Sequence, residues 1–89
     1  MADGATEMLD LTDRTVVITG GATGIGFGLA KACGARGANV VIGEPRRARL
    51  DEAVAMLTEK DISVHAIQMN VADPEQLSDF AEQAFAAFG

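Results

Sequence analysis

Residues Thr19–Gly26 read TGGATGIG, and four of the eight are glycine. They follow Thr15–Thr19 (TVVIT), a short β-branched run of the kind that is buried on both faces of a sheet. Beyond them Ile25, Leu29 and Cys33 recur at helical spacing, with Gly28 and Ala32 alongside. That spacing predicts a helix whose narrow, small-residue face lies close to a sheet and which ends at Gly34 and Gly37. Glycines at a strand-to-helix turn answer three physical demands. The chain turns tightly, a ligand comes within contact distance of the backbone, and the helix packs close to the sheet. The first amides of the helix face outward with partial positive charge, which suits a diphosphate.

The rest of the chain alternates in the same way. Asn39–Ile42 (NVVI) is a second strand, stopped by Gly43 and followed by Glu44-Pro45. A helix starting between Pro45 and Arg47 places Leu50, Ala53, Val54 and Leu57 on one face. Ser63–Met69 (SVHAIQM) is a third strand. Asp73-Pro74-Glu75-Gln76 then marks a helix start, with Asp as N-cap, Pro at the first position and Gln at the third. Leu77, Phe80, Ala81, Ala84, Phe85 and Phe88 follow as a wide apolar stripe. The order β-α-β-α-β-α predicts an α/β fold with a parallel sheet covered by helices.

Composition limits what such a chain does. Its 89 residues allow one small domain, with 13 acidic against 7 basic residues and a net charge of −6. The basic cluster Arg46, Arg47 and Arg49 is too short to track a phosphate backbone, so nucleic acid is not an expected partner. Cys33 is the single cysteine, which excludes an internal disulfide. The acidic start MADGATEMLDLTD has neither the basic opening nor the apolar core of a signal or transit peptide. No apolar run approaches the ~20 residues of a membrane helix, and the expectation is a cytoplasmic protein. His65 has no Cys or acidic neighbour at metal-ligand spacing, and no metal site is expected.

The spacing of the glycines narrows their use. A G-x-G-x-x-G reading from Gly24 fails, because its third glycine would fall on Leu29. The run Gly24-x-Gly26-x-Gly28 has the look of a methyltransferase loop but lacks the acidic residue that usually precedes one, since Ala22 stands there. The pattern that holds is T-G-x-x-x-G-x-G, and Glu44 lies 18 residues past Gly26. That is close to the ~20 expected of an acid that grips an adenosine ribose.

With these residues the chain resembles the short-chain dehydrogenase/reductase family. TVVITGGATGIG is similar to that family's first strand and cofactor loop, GARGANVVI to its link into the second strand, and MNVADPEQLSDFAEQAFAAFG to its third strand and following helix. The resemblance implies a Rossmann-type βαβαβα half: a three-stranded parallel sheet, order 3-2-1, flanked by helices and truncated. Residues 1–10 are then an N-terminal tail and 11–89 an incomplete NAD(P)-binding domain. By the resemblance Gly20, Ala22, Thr23, Gly24, Ile25 and Gly26 line the pyrophosphate and ribose, Glu44 accepts from the ribose hydroxyls, and Asn70 and Val71 meet the adenine edge. NAD is favoured over NADP, because Glu44 would repel a 2′-phosphate and the basic residues that NADP users tend to carry are replaced by Thr23 and Pro45. Arg46 and Arg47 lie close enough to complicate that choice.

The family's catalytic Tyr, with its Lys four residues on and its Ser, has no counterpart here. The chain contains no tyrosine, and Ser63 and Ser78 lie in the third strand and third helix. The expectation is an oxidoreductase's dinucleotide-binding portion, inactive alone. The alternative is a non-enzymatic module that binds a nucleotide or pairs with a subunit. In the order 3-2-1 the first strand is an edge, which makes self-association through TVVIT an expected property. Incomplete cover of Val16, Val17 or Ile18 costs up to ~1.5–3 kcal/mol each.

Overall fold

A computed structural model describes residues 10–20, 22 and 24–88. The expected tail lies outside them apart from Asp10. The elements are β1 (Thr15–Thr19), α1 (Gly24–Ala35), β2 (Asn39–Glu44), α2 (Arg47–Glu59), β3 (Val64–Gln68) and α3 (Pro74–Phe88). All strands are parallel in the order β1-β2-β3, with Val16 opposite Val40 and Val41 opposite His65. The three-stranded βαβαβα arrangement is the one the alternation predicts.

Period-two alternation of the strands divides the core in two. On one face Val40 and Ile42 of β2 join Ile18 of β1, Ala30 of α1, and Leu50, Ala53 and Leu57 of α2. On the other, Val41 joins Ile67, Met69, and Phe80 and Ala84 of α3. β2, between two neighbours and two helical layers, is buried along almost its whole length, so removing its Val and Ile side chains from water stabilises the fold by ~1.5–3 kcal/mol each. β1 is not buried on both faces as expected: Val16 and Ile18 turn into the first layer, while Val17 is 48% exposed on the second. Helical cover explains the difference, because α3 lies over β2 and β3 and leaves this face of the edge strand β1 open.

Two further expectations are corrected. Gly43 does not stop the second strand, which continues through Glu44. It pairs with Thr19 and Ile67, and a Cβ there would sit 3.0 Å from Met69 Sδ and from Phe80 Cε1, so the missing side chain lets α3 lie against the sheet. The face of α1 is also reversed. Ile25, Leu29, Gly28 and Ala32 are exposed, and the helix instead turns Ala30 and Phe27 into the core and sets Gly34 against Ile62. The small residues do face a close approach, but through a different stripe from the apolar one.

α3 begins as predicted. Asp73 Oδ1 accepts from the Glu75 N–H at 3.0 Å and from the Gln76 N–H at 3.4 Å. Gln76 departs from the usual reciprocal cap by accepting, at 2.8 Å, from the N–H of Asn70 in the loop after β3.

Candidate functional site

A parallel sheet sends the C-terminal ends of all its strands to one edge, and ligands of open α/β sheets bind there. Gly20 follows β1, Glu44 ends β2, and Asn70 and Val71 follow β3, so one end of the sheet collects these candidates. The Gly20 N–H donates to the Gly43 carbonyl at 2.7 Å, tying the glycine loop to the residue before Glu44. Thr23 lies outside the described residues.

The loop geometry accounts for its glycines. Gly20 (φ +68°) and Gly24 (φ +60°) occupy the left-handed region, and apart from chain neighbours neither has, among the described residues, an atom within 4 Å of the place a Cβ would take. Glycine adopts this conformation without strain, and at neither position does a packing contact account for the missing side chain. Gly24 and Gly26 open α1, Ala22 is buried in the first core layer, and Ile25 stands 92% exposed beside the loop. A diphosphate suits the N-terminus of a helix that opens on glycines.

Glu44 differs from a free carboxylate. It is 1% exposed and is the only buried charged side chain among the described residues. By alternation it shares its sheet face with Ile42, the face covered by α1 and α2. Its Oε2 accepts from the Arg46 backbone N–H at 3.0 Å and from Arg46 Nε at 2.9 Å, and Arg46 Nη2 lies 3.3 Å from Oε1. These bonds from Arg46 hold the carboxyl below the ordinary 4.5 of a glutamate, against the opposing effect of burial. Arg46, part of the basic cluster at the start of α2, is therefore a partner of Glu44. Its signal in the sequence is the spacing Glu-Pro-Arg, in which Pro45 turns the chain back; Gln68 Nε2 donates to the Pro45 carbonyl at 3.0 Å and fixes that turn. Arg47 turns elsewhere and pairs with Asp51, four residues on, at 3.4 Å.

Asn70 is also partly engaged. Its Oδ1 accepts from the Ala72 N–H at 3.0 Å, and its carbonyl accepts from the Asp73 N–H at 3.0 Å, so the loop is a braced turn with Val71 at its exposed tip. Gln68 and Gln76, which sequence reasoning did not single out for the site, position Pro45 and Asn70 respectively. Among the described residues no group of three or more His, Cys, Asp or Glu is placed to hold a metal ion, and no helix is long and apolar enough to cross a membrane.

Fold and sequence together define a parallel α/β protein with a glycine-rich turn after its first strand. The chain belongs to the short-chain dehydrogenase/reductase family: the family model described as short chain dehydrogenase matches residues 14–89. It is 39% identical over 82 residues to a C alpha-dehydrogenase of Sphingobium sp. strain SYK-6, covering 92% of this chain and 27% of that protein. It is 32% identical over 83 residues to an L-rhamnose 1-dehydrogenase (NADP(+)) of Thermoplasma acidophilum, covering 92% of this chain and 33% of that one. Among solved structures, a short chain dehydrogenase/reductase from Burkholderia phymatum in complex with NAD superposes with a TM-score of 0.86 at 25% identity, covering 90% of this chain and 28% of that one. The chain thus spans about a third or less of the length of these relatives, the part that holds the first three strands of a Rossmann fold.

Proposed function

We propose that this chain is the adenosine-diphosphate-holding portion of an NAD(P)-dependent oxidoreductase. The observation that carries the reading is the pair of positive-φ glycines, Gly20 and Gly24, at the same sheet end as Glu44. In this reading Gly20, Ala22, Thr23, Gly24, Ile25 and Gly26 line the diphosphate and ribose, with the helix dipole of α1 favouring the negative charge. Glu44 accepts from the adenosine ribose, and the braced Asn70–Val71 turn borders the adenine. A nicotinamide cofactor would supply hydride exchange with a carbonyl or alcohol; what these residues do is bind and orient its other half.

NAD is the preferred cofactor in this reading, since a carboxylate opposes a 2′-phosphate and neither Thr23 nor Pro45 is basic. Relatives named for NADP(+) and solved with NAD both occur, so the choice belongs to the residues around the ribose. Proton transfer to the substrate needs a group in register with the nicotinamide. These 89 residues include no tyrosine, so the proposal places the chemical step elsewhere in the protein and expects no turnover from this portion alone. The single cysteine supports a cytoplasmic setting, and β1, paired on one side only among the described residues, supports self-association.

Titration of the 89-residue chain with NAD, followed by amide chemical shifts, tests the reading. Saturable shifts centred on Gly20, Gly24, Gly26 and Glu44, with weak affinity, are expected. An unchanged spectrum would instead favour the alternative, a module that serves only to pair with another subunit.

A further inference from the structure

In a parallel strand both backbone polar groups of a residue face the same neighbouring strand, and that side alternates along the chain. The Arg14 carbonyl accepts from the Asn39 N–H at 2.8 Å and the Gly20 N–H donates to the Gly43 carbonyl at 2.7 Å, so the even-numbered residues of β1 bond β2. Thr15, Val17 and Thr19 therefore turn their N–H and C=O groups the other way, where no strand lies among the described residues. Exposed apolar side chains flank that edge in both layers. On the α3 side Val17, Leu77, Ala81 and Phe85 belong to one groove, lined by no charged residue among those described. In the other layer Gly34 turns one flank of α1 to Ile62. At about 100° per residue Leu29 and Ile25 lie on the opposite flank, beyond β1.

We propose that a second copy of this chain occupies the edge, its β1 pairing antiparallel with this one about a two-fold axis through Val17; the proposal rests on the self-association reading above. Val17 then faces the partner's Val17, and Thr15 faces the partner's Thr19. All are hydrogen-bonded pairs that exchange two bonds each, so this register satisfies every outward group of the strand. A shift of one residue sets outward groups against inward ones, and a shift of two leaves a residue of each strand unpaired. The helical layers suit the same axis. Strands lie about 4.8 Å apart and α1 packs over β1 and β2, so the two copies of α1 come within about 10 Å, the spacing of packed helices. Leu29 and Ile25 meet their counterparts there. The copies of α3, over β2 and β3, stand about 19 Å apart. Leu77, Ala81 and Phe85 recur at intervals of four, and because α3 runs back along the sheet the axis sets Phe85 toward the partner's Leu77, filling that wider gap. Each copy carries a net charge of −6, and these contacts add no like charge to that repulsion. At dilutions where the copies part, the same side chains return to solvent.

Cysteine pairing tests the register, in the 89-residue chain with Cys33→Ser as background. Hydrogen-bonded pairs stand about 5.5 Å apart at Cα, within reach of a disulfide. With oxidised glutathione, Val17→Cys is expected to bridge to itself, and Thr15→Cys to bridge Thr19→Cys when the two are mixed. Thr15→Cys alone should give no bridged species, because its counterpart lies about 14 Å away along the strand. Thr15, Val17 and Thr19 are exposed, so the reduced variants should sediment as the unaltered chain does. A chain that sediments as a dimer while Thr15→Cys bridges itself, or while Val17→Cys fails to bridge, overturns the two-fold register and leaves self-association standing. A chain that stays monomeric at every concentration removes both and gives the edge to a partner of different sequence.

Discussion

The carboxyl of Glu44 sits below its ordinary range because Arg46 bonds the charged form, so the folded chain binds this proton less readily than the unfolded one. The contribution to stability is therefore complete above about pH 4.5 and is lost as pH falls from there through the folded value. Urea unfolding of the wild type and of Glu44→Gln between about pH 7 and about pH 3 should show a wild-type advantage that closes as the medium is acidified. An advantage that stays constant would show that Arg46 does not stabilise the ionised form. The glycines give a second contrast at this scale. Gly24 and Gly28 have equal freedom around a notional Cβ, but Gly24 lies at φ +60° and Gly28 inside α1. Gly24→Ala should lower stability by about 1–2 kcal/mol, the cost of left-handed backbone, whereas Gly28→Ala should raise it by about 0.5–1 kcal/mol. Thermal melts of the two variants moving in the same direction would contradict the assigned backbone.

At the scale of elements, α1 shows where pattern and packing part. Its apolar residues at helical spacing, Ile25 and Leu29, mark a stripe that the fold leaves outside, while Ala30 is fully buried against the sheet. A helix packed this close to a sheet accepts small side chains at its contact, and larger ones are pushed to the flank. Leu29→Gln should accordingly fall within about ±0.5 kcal/mol of the wild type. Ala30→Leu should cost about 1–3 kcal/mol through overpacking. Equilibrium denaturation checks both, and a Leu29 variant losing as much as the Ala30 variant would restore the stripe read from the sequence. In β2 and α2 the pattern and packing agree, since Val40, Ile42, Leu50, Ala53 and Leu57 are core residues as their spacing indicates.

Across the whole molecule, the two faces of the sheet are unequally covered. α1 and α2 close one layer, whereas α3 lies over β2 and β3 and leaves an open apolar groove of about 450 Å³ beside β1. Thr15, Val17, Leu77, Phe80, Ala84 and Phe85 line it, and Phe85 is 79% exposed. An apolar groove running along a strand that is paired on one side only among the described residues invites association through both backbone and side chains. Val17→Lys places a charge at the middle of that edge, on a side chain already half exposed. It should shift sedimentation of the chain toward the monomer with a stability change below about 0.5 kcal/mol. A wild type that sediments as a monomer at every concentration would remove the self-association proposal.

The sequence by itself determined the succession of strands and helices, the parallel sheet and the position of the glycine loop. These follow from local signals: β-branched runs, helical spacing, the Asp73-Pro74 start and glycines where the chain must turn. It also located Glu44, because distance along the chain from a strand-helix turn to the next strand end is nearly invariant in such a unit. Only the tertiary structure decided which stripe of α1 is buried, since that depends on how near the helix axis comes to the sheet. Only it showed Gly43 as part of β2, a matter of what α3 places opposite it. And only it joined Glu44 to Arg46: two residues apart in the chain, they are bonded because the turn at Pro45 brings the guanidinium over the carboxylate. Local pattern records what a residue prefers, whereas contact, burial and charge pairing depend on neighbours that the fold alone supplies.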